Sequence, residues 1–135
     1  GRYSVLLRSF HRTLLDDVRM STRSAIGMVQ NDGSVRFVYC HYDGYPEHNG
    51  KILKQSYSNP AKVEALLDNG DLSSLENTID ECEFYARDRG EDDVGSLTFD
   101  SLDDMFETYN WSEYFYLFKD GNWEVCDDRK VWEVL

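Results

Sequence analysis

Between Tyr39 and Gly50 the chain gathers three Tyr, two His, two carboxylates and a Cys into twelve residues: Tyr39-Cys40-His41-Tyr42-Asp43-Gly44-Tyr45-Pro46-Glu47-His48-Asn49-Gly50. Gly44, Pro46 and Gly50 punctuate this stretch as a sharply shaped loop, and loops held by rigid scaffolds are where binding and reactive groups concentrate. Three chemistries compete for it. The first is metal binding by Cys40, His41, Asp43, Glu47 and His48. Zinc sites draw on separated ligand pairs, whereas here every candidate falls in one nine-residue window with no second cluster, so no metal is expected. The second is hydrolysis with His41 as base and Asp43 as its orienter, with His48 nearby. On a continuing strand these two share a face without being aimed at each other, Cys40 points to the opposite face, and no Ser or Cys sits in a nucleophile elbow. No catalytic residue is assigned.

The third chemistry is recognition of a small anion or nucleotide. Arg87 and Arg89 are the only bases in a long acidic stretch. On a strand they would share a face; on a helix they would diverge. Guanidinium forks hold phosphate and tyrosine rings stack on bases. Arg23, at the start of the first strand, is a further anion contact. The expected ligand-binding set is therefore Arg23, His41, Tyr42, Asp43, Tyr45, Glu47, His48, Arg87 and Arg89. Against it stands the plainer reading that these arginines neutralise neighbouring acids.

These residues need elements to position them. Ser24–Gln30 and Val35–His41 read as two strands joined by the turn Asn31-Asp32-Gly33-Ser34. On the second strand Val35, Phe37, Tyr39 and His41 share one face, and Arg36, Val38 and Cys40 the other. Lys51–Tyr57 reads as a short helix. Ser58-Asn59-Pro60 opens another, with Val63, Leu66 and Leu67 inward and Gly70 just past its end. Leu72–Leu75 reads as a turn or edge. Cys82, Phe84 and Ala86 alternate, which favours a strand over Thr78–Arg87. Thr98 or Asp100 caps a helix from Ser101 to Tyr109. Glu113–Lys119 and Trp123–Cys126 form a hairpin through Asp120-Gly121-Asn122, and Lys130–Val134 a last strand. Tyr114, Tyr116 and Phe118 alternate with Phe115 and Leu117, so both faces of that strand are apolar; it is central or lies at a contact between copies, which makes a homo-oligomer an expectation. The order predicts an α+β fold, a mostly antiparallel sheet with helices packed on one face.

The 135 residues fit one domain. Residues 1–19 carry a net +2 and a roughly helical apolar spacing at Leu7, Phe10, Leu14 and Val18. They read as an N-terminal extension, with a single domain over 20–135. From Glu64 to Glu107 fifteen acids face two bases, a net of −13 within an overall −12. Such a surface repels phosphate backbones, which excludes general nucleic-acid binding. It allows docking to a basic protein or mimicry of DNA. No apolar run reaches the roughly 20 residues that span a bilayer. Three Cys (Cys40, Cys82, Cys126) without a CxxC spacing read as reduced thiols of a cytosolic protein.

Four segments carry a resemblance: Met20-Ser21-Thr22-Arg23-Ser24, the loop Tyr39–Gly50, Phe84-Tyr85-Ala86-Arg87-Asp88-Arg89-Gly90-Glu91, and Glu113-Tyr114-Phe115-Tyr116-Leu117-Phe118-Lys119-Asp120-Gly121. In these, and across most of residues 20–135, the chain resembles a family of small uncharacterised bacteriophage and prophage proteins. The resemblance implies an accessory factor in the host cytoplasm, with anti-defence activity as one such job, and assigns no residue a role. The expectation is a non-enzymatic phage accessory protein, without cofactor, that binds a small phosphorylated or nucleotide-like ligand. An acidic inhibitor of a host protein is the alternative, and a hydrolase or nuclease using His41 and Asp43 a further one.

Overall fold

Alternating apolar residues drive the first hairpin, as the sequence predicts. In the computed structural model, which describes residues 21–135, β1 (Ser24–Val29) and β2 (Val35–Cys40) pair antiparallel from Ser24↔Cys40 to Val29↔Val35. Gly33 takes a φ of 88° in the turn, and the Asp32 carboxylate accepts the Ser34 N–H at 2.9 Å. A π-helical turn, Pro46–Gly50, runs straight into α1 (Lys51–Ser56), and α2 (Pro60–Asp68) follows. The Asn59 side chain accepts the Lys62 N–H at 2.9 Å, the expected cap with Pro60 in the first turn.

The remaining elements are β3 (Leu72–Ser74), β4 (Glu83–Phe84), α3 (Tyr85–Arg89), β5 (Leu97–Phe99), α4 (Leu102–Thr108), β6 (Tyr114–Lys119), β7 (Asn122–Cys126) and β8 (Glu133–Val134). They build one eight-stranded sheet in the order β4-β3-β2-β1-β6-β7-β8, with β5 also on β2. The β1–β6 and β2–β3 pairs are parallel and the rest antiparallel. The fold is α+β, as expected. Asp120 and Gly121, at φ 51° and 81°, turn the β6–β7 hairpin with the backbone twist its strands require.

The helices depart from the one-face arrangement. Ile52 and Leu53 of α1 and Val63, Leu66 and Leu67 of α2 pack with Ile26, Val38, Tyr116 and Phe118 on one face of the sheet. On the other face Met105, Phe106 and Tyr109, from α4 and its C-terminal end, pack with Ala25, Phe37, Phe115 and Leu117. Both faces of β1 and β6 are apolar because both are covered, and each large side chain so buried is worth roughly 1.5–3 kcal/mol. Gly27 is required on the second face: a Cβ there would run into the Phe37 ring and the Arg36 carbonyl.

Two local expectations change. Ser101 itself caps α4, accepting the Asp104 N–H at 3.2 Å, because Thr98 is already committed to β5. The strand expected over Thr78–Arg87 is only two residues long. The Asp88 carboxylate accepts the Phe84 N–H at 2.8 Å and draws the chain into α3, which Gly90 closes at φ 66°. Residues 1–19, read above as an extension, lie outside the described residues. Among the described residues, no helix is long and apolar enough to cross a membrane.

The outer edge of β2 is shared. β5 pairs with its first half, Leu97 opposite Phe37, and β3 with its last residue, Leu72 opposite Cys40. Between them Tyr39 faces a break in the ladder.

Candidate functional site

The Tyr39–Gly50 loop is held from within. Asp43 sits at φ 57°. The Gly44 N–H donates to the Thr22 carbonyl at 2.9 Å, and its own carbonyl accepts the buried Tyr116 hydroxyl at 2.6 Å. A Cβ at Gly44 would press on the Thr22 carbonyl and the Ser24 side chain. Asn49 is fully buried, and its amide reaches the Ser24 hydroxyl (3.3 Å), the Cys40 sulfur (3.4 Å) and the Tyr42 carbonyl (3.4 Å). Much of the loop's unusual composition therefore builds the loop itself. His41 pairs through Nδ1 with the Tyr39 hydroxyl, Asp43 accepts the Tyr45 hydroxyl at 3.4 Å, and His48 Nδ1 lies 2.9 Å from the Asn49 amide oxygen. No hydrogen bond joins His41 to Asp43 among the described residues. Glu47 is exposed in the π-helical turn. Among the described residues no three His, Cys, Asp or Glu side chains gather as a metal site. Burial pushes the Cys40 thiol up to about 12, which keeps it protonated and unreactive.

Arg87 and Arg89 are spent locally. Arg87 donates to the carbonyls of Ile79 (2.9 Å) and Cys82 (2.7 Å), pairs with Asp88 at 2.9 Å, and lies over the Phe84 ring. It fastens the 79–82 turn onto α3. Arg89 pairs with Glu83 and covers the Tyr85 ring at 4.9 Å. The two arginines are thus on a helical turn, not alternating along a strand, and their donors are engaged by protein groups.

The break in the edge of β2 opens into a cavity of about 470 Å³. Tyr39, Tyr109, Trp111 and Leu97 are its aromatic and apolar lining, and Arg23, Asp71 and Asp93 its charged groups. The rings run edge to face: Tyr39 and Trp111 are 4.4 Å apart at 85°, Tyr109 and Trp111 6.0 Å apart at 77°. His41 and Tyr42 continue this row from the loop side, at 4.3 Å and 75° from each other. Trp111 is 43% exposed and Leu97 47%, so two of the large hydrophobic side chains left open to solvent line the same cavity. A larger cavity of about 700 Å³, between the two hairpin turns, has among the described residues Asp32, Glu64 and Asp120 as its charged groups and Phe118, itself buried, as its aromatic. Among the described residues its charged groups are all acids, so it offers no cation to an anionic ligand, and the amides of Gln30 and Asn31 are its other polar side chains.

Each cavity group is held by its element. Arg23 precedes β1, its N–H donating to the Glu113 carboxylate at 2.6 Å and its carbonyl accepting the Glu113 N–H at 2.9 Å. Its guanidinium lies beside the Tyr39 hydroxyl. Tyr109 donates its hydroxyl to the Phe37 carbonyl at 3.3 Å. Asp71 follows Gly70, whose φ of 77° turns the chain out of α2, and donates its own N–H to the Val94 carbonyl at 2.7 Å. The Asp71 carboxylate accepts the Tyr39 N–H at 2.9 Å, filling the gap in the ladder. Burial raises this carboxyl to about 6, and the hydrogen bond from the Tyr39 N–H opposes the rise only in part.

Of the expected ligand set, Arg23 lines this cavity, and His41 and Tyr42 extend its aromatic row; Asp43, Tyr45, Glu47 and His48 stay within the loop. Asp71, Trp111 and Tyr109 were not expected here. The acid is one of fifteen in its stretch, and the two aromatics sit in a C-terminal part of the chain rich in Tyr, Phe and Trp. Comparison with protein-family models, with curated proteins and with solved structures finds no match.

Proposed function

We propose that this chain is a non-enzymatic binding protein whose ligand, a small nucleotide-like molecule, enters the cavity between Arg23, Asp71 and Trp111. The observation that carries this is the Asp71 carboxyl, partly buried without an ion pair among the described residues and set beside exposed aromatic surface. A carboxyl perturbed by burial in a cleft is a candidate functional group, and an aromatic cavity with a few convergent polar groups is the general form of a small-molecule site. A heterocycle stacks on Trp111, and Arg23 takes an anionic substituent. The resemblance to small phage proteins supports an accessory role, such as withdrawing a nucleotide signal in an infected host cell.

Titration of the full chain with nucleotides, read by calorimetry, tests this. Binding that Trp111→Ala weakens at least about tenfold is expected. Absence of heat with every nucleotide at millimolar concentration overturns the reading.

A second reading, an acidic protein that occupies a basic partner, draws on the exposed Glu91, Asp92, Asp93, Asp100, Asp103, Asp104 and Glu107 around β5 and α4. Charge reversal at Glu91, Asp92 and Asp93 then abolishes capture of that partner. The hydrolase reading has less behind it, because among the described residues His41 pairs with Tyr39 and Asp43 with Tyr45, and not with each other.

A further inference from the structure

The acid of this cavity does more than the sheet asks of it. The gap at Tyr39 needs one acceptor oxygen, and Oδ1 of Asp71 supplies it at 2.9 Å. An asparagine oxygen would serve the ladder equally without placing an ionisable group in a partly dehydrated site. The second carboxylate oxygen has no protein partner among the described residues, and Asp71 itself lines the cavity. Ionised, that carboxylate offers only acceptors, so it favours groups that present donors and repels those that present lone pairs or phosphate. Asp93 adds to that repulsion, and among the described residues Arg23 is the only cation lining the cavity. The anionic end of a ligand is therefore kept to the Arg23 side, and the donor end to the Asp71 side.

Among the nucleobases, adenine and cytosine place a ring acceptor next to their amino group, and uracil flanks its single N–H with carbonyls. Guanine alone presents two adjacent donors, the ring N1–H and the exocyclic amino group. A guanidinium offers the same pair. Such planar donor pairs meet a carboxylate as parallel, charge-assisted hydrogen bonds.

We infer that Asp71 is the specificity determinant of this cavity, its Oδ2 and the remaining lone pair of Oδ1 receiving the two parallel N–H donors of a planar group, the guanine edge of a nucleotide or a guanidinium. This rests on the reading of the cavity as the ligand site. Stacking on Trp111 supplies affinity that is indifferent to the base, and Asp71 supplies the discrimination.

The test is calorimetric titration of the full chain at neutral pH with GMP, IMP, AMP, CMP, UMP, arginine and lysine. GMP is expected to bind about tenfold or more tightly than AMP, the usual size of a bidentate discrimination. IMP, which lacks the exocyclic amino group, falls between them and probes the contact without altering the protein. Asp71→Asn is expected to bring GMP and AMP within about threefold while the chain stays folded. Equal binding of GMP, IMP and AMP by the parent chain overturns the assignment of Asp71 and leaves the cavity as a nucleotide site. So does a GMP preference that survives Asp71→Asn. Arginine binding in place of every nucleotide, abolished by Asp71→Asn, keeps the assignment and overturns the nucleotide reading. Binding of none of these probes overturns both.

Discussion

The Asp71 carboxylate closes a gap in the sheet by accepting the backbone N–H of Tyr39 at 2.9 Å. The two residues stand where β5 and β3 divide the edge of β2 between them. One acid thus completes the hydrogen bonding of the scaffold and lines the cavity that the scaffold leaves open.

The acid has a cost that pH reveals. Burial raises its pKa from 3.8 to about 6. Below about pH 4 folded and unfolded chains both hold the proton. Between about pH 4 and about pH 6 the unfolded chain releases it first, so stability falls across that window and stays lower above it. The full shift corresponds to about 3 kcal/mol at 1.36 kcal/mol per unit; with partial exposure about 1–2 kcal/mol is expected. Asp71→Asn should therefore be more stable than the parent at pH 8 and equal to it near pH 4. Urea unfolding of both proteins at the two pH values measures the difference; an equal or less stable Asn variant at pH 8 contradicts the account.

Gly70 sets the position of Asp71. Its φ of 77° is costly for any residue with a Cβ, and a Cβ there would also collide with the Val94 carbonyl. Gly70→Ala should lose about 1–3 kcal/mol and disturb the Asp71–Val94 hydrogen bond. Thermal denaturation gives the first quantity, and amide exchange at Asp71 reports the second.

Trp111 separates binding from stability. Being 43% exposed, it should cost less than about 1 kcal/mol when replaced by Ala, mostly through its contact with Tyr39. The same substitution should remove most of the affinity for a stacked ligand. A variant that binds normally, or one that unfolds, would mark Trp111 as ordinary packing.

The loop beside the cavity is a structural piece, and Tyr116→Phe should show it. Loss of the hydroxyl strands the buried Gly44 carbonyl, at a cost of about 1–3 kcal/mol. Chemical denaturation measures that cost, while ligand affinity should change little.

The thiols should be silent. Cys40 and Cys126 are buried, with burial raising each to about 12, and Cys82 is raised as well. A thiol reagent should label none of the three in the folded chain at pH 8 and all of them in denaturant. Rapid labelling of the folded chain would point to local opening.

Local chemistry made much of this fold legible. Asn31–Ser34 and Asp120-Gly121 announce their hairpins because only a few residues accept positive φ, and Asn59-Pro60 announces a helix start by its cap. Alternation along β2 and β6 placed their side chains on the right faces, and the order of elements supported the α+β class. These signals depend on neighbours within a few residues. The layering did not: that α4 covers the face opposite α1 and α2 follows from Met105 and Phe106 meeting Phe37 and Phe115, contacts between segments far apart in the chain. The candidate site was equally hidden. Tyr39 and its neighbours drew notice by composition, yet Gly44, Asn49 and Tyr116 show that much of that composition holds the loop together. Arg87 and Arg89 looked like a phosphate fork only if extended, and the Asp88 contact with Phe84 coils them into a helix. The cavity exists because β3 and β5 stop short of each other along one strand. That gap is a property of strand register between distant segments, and only the folded chain could show that Asp71 fills it.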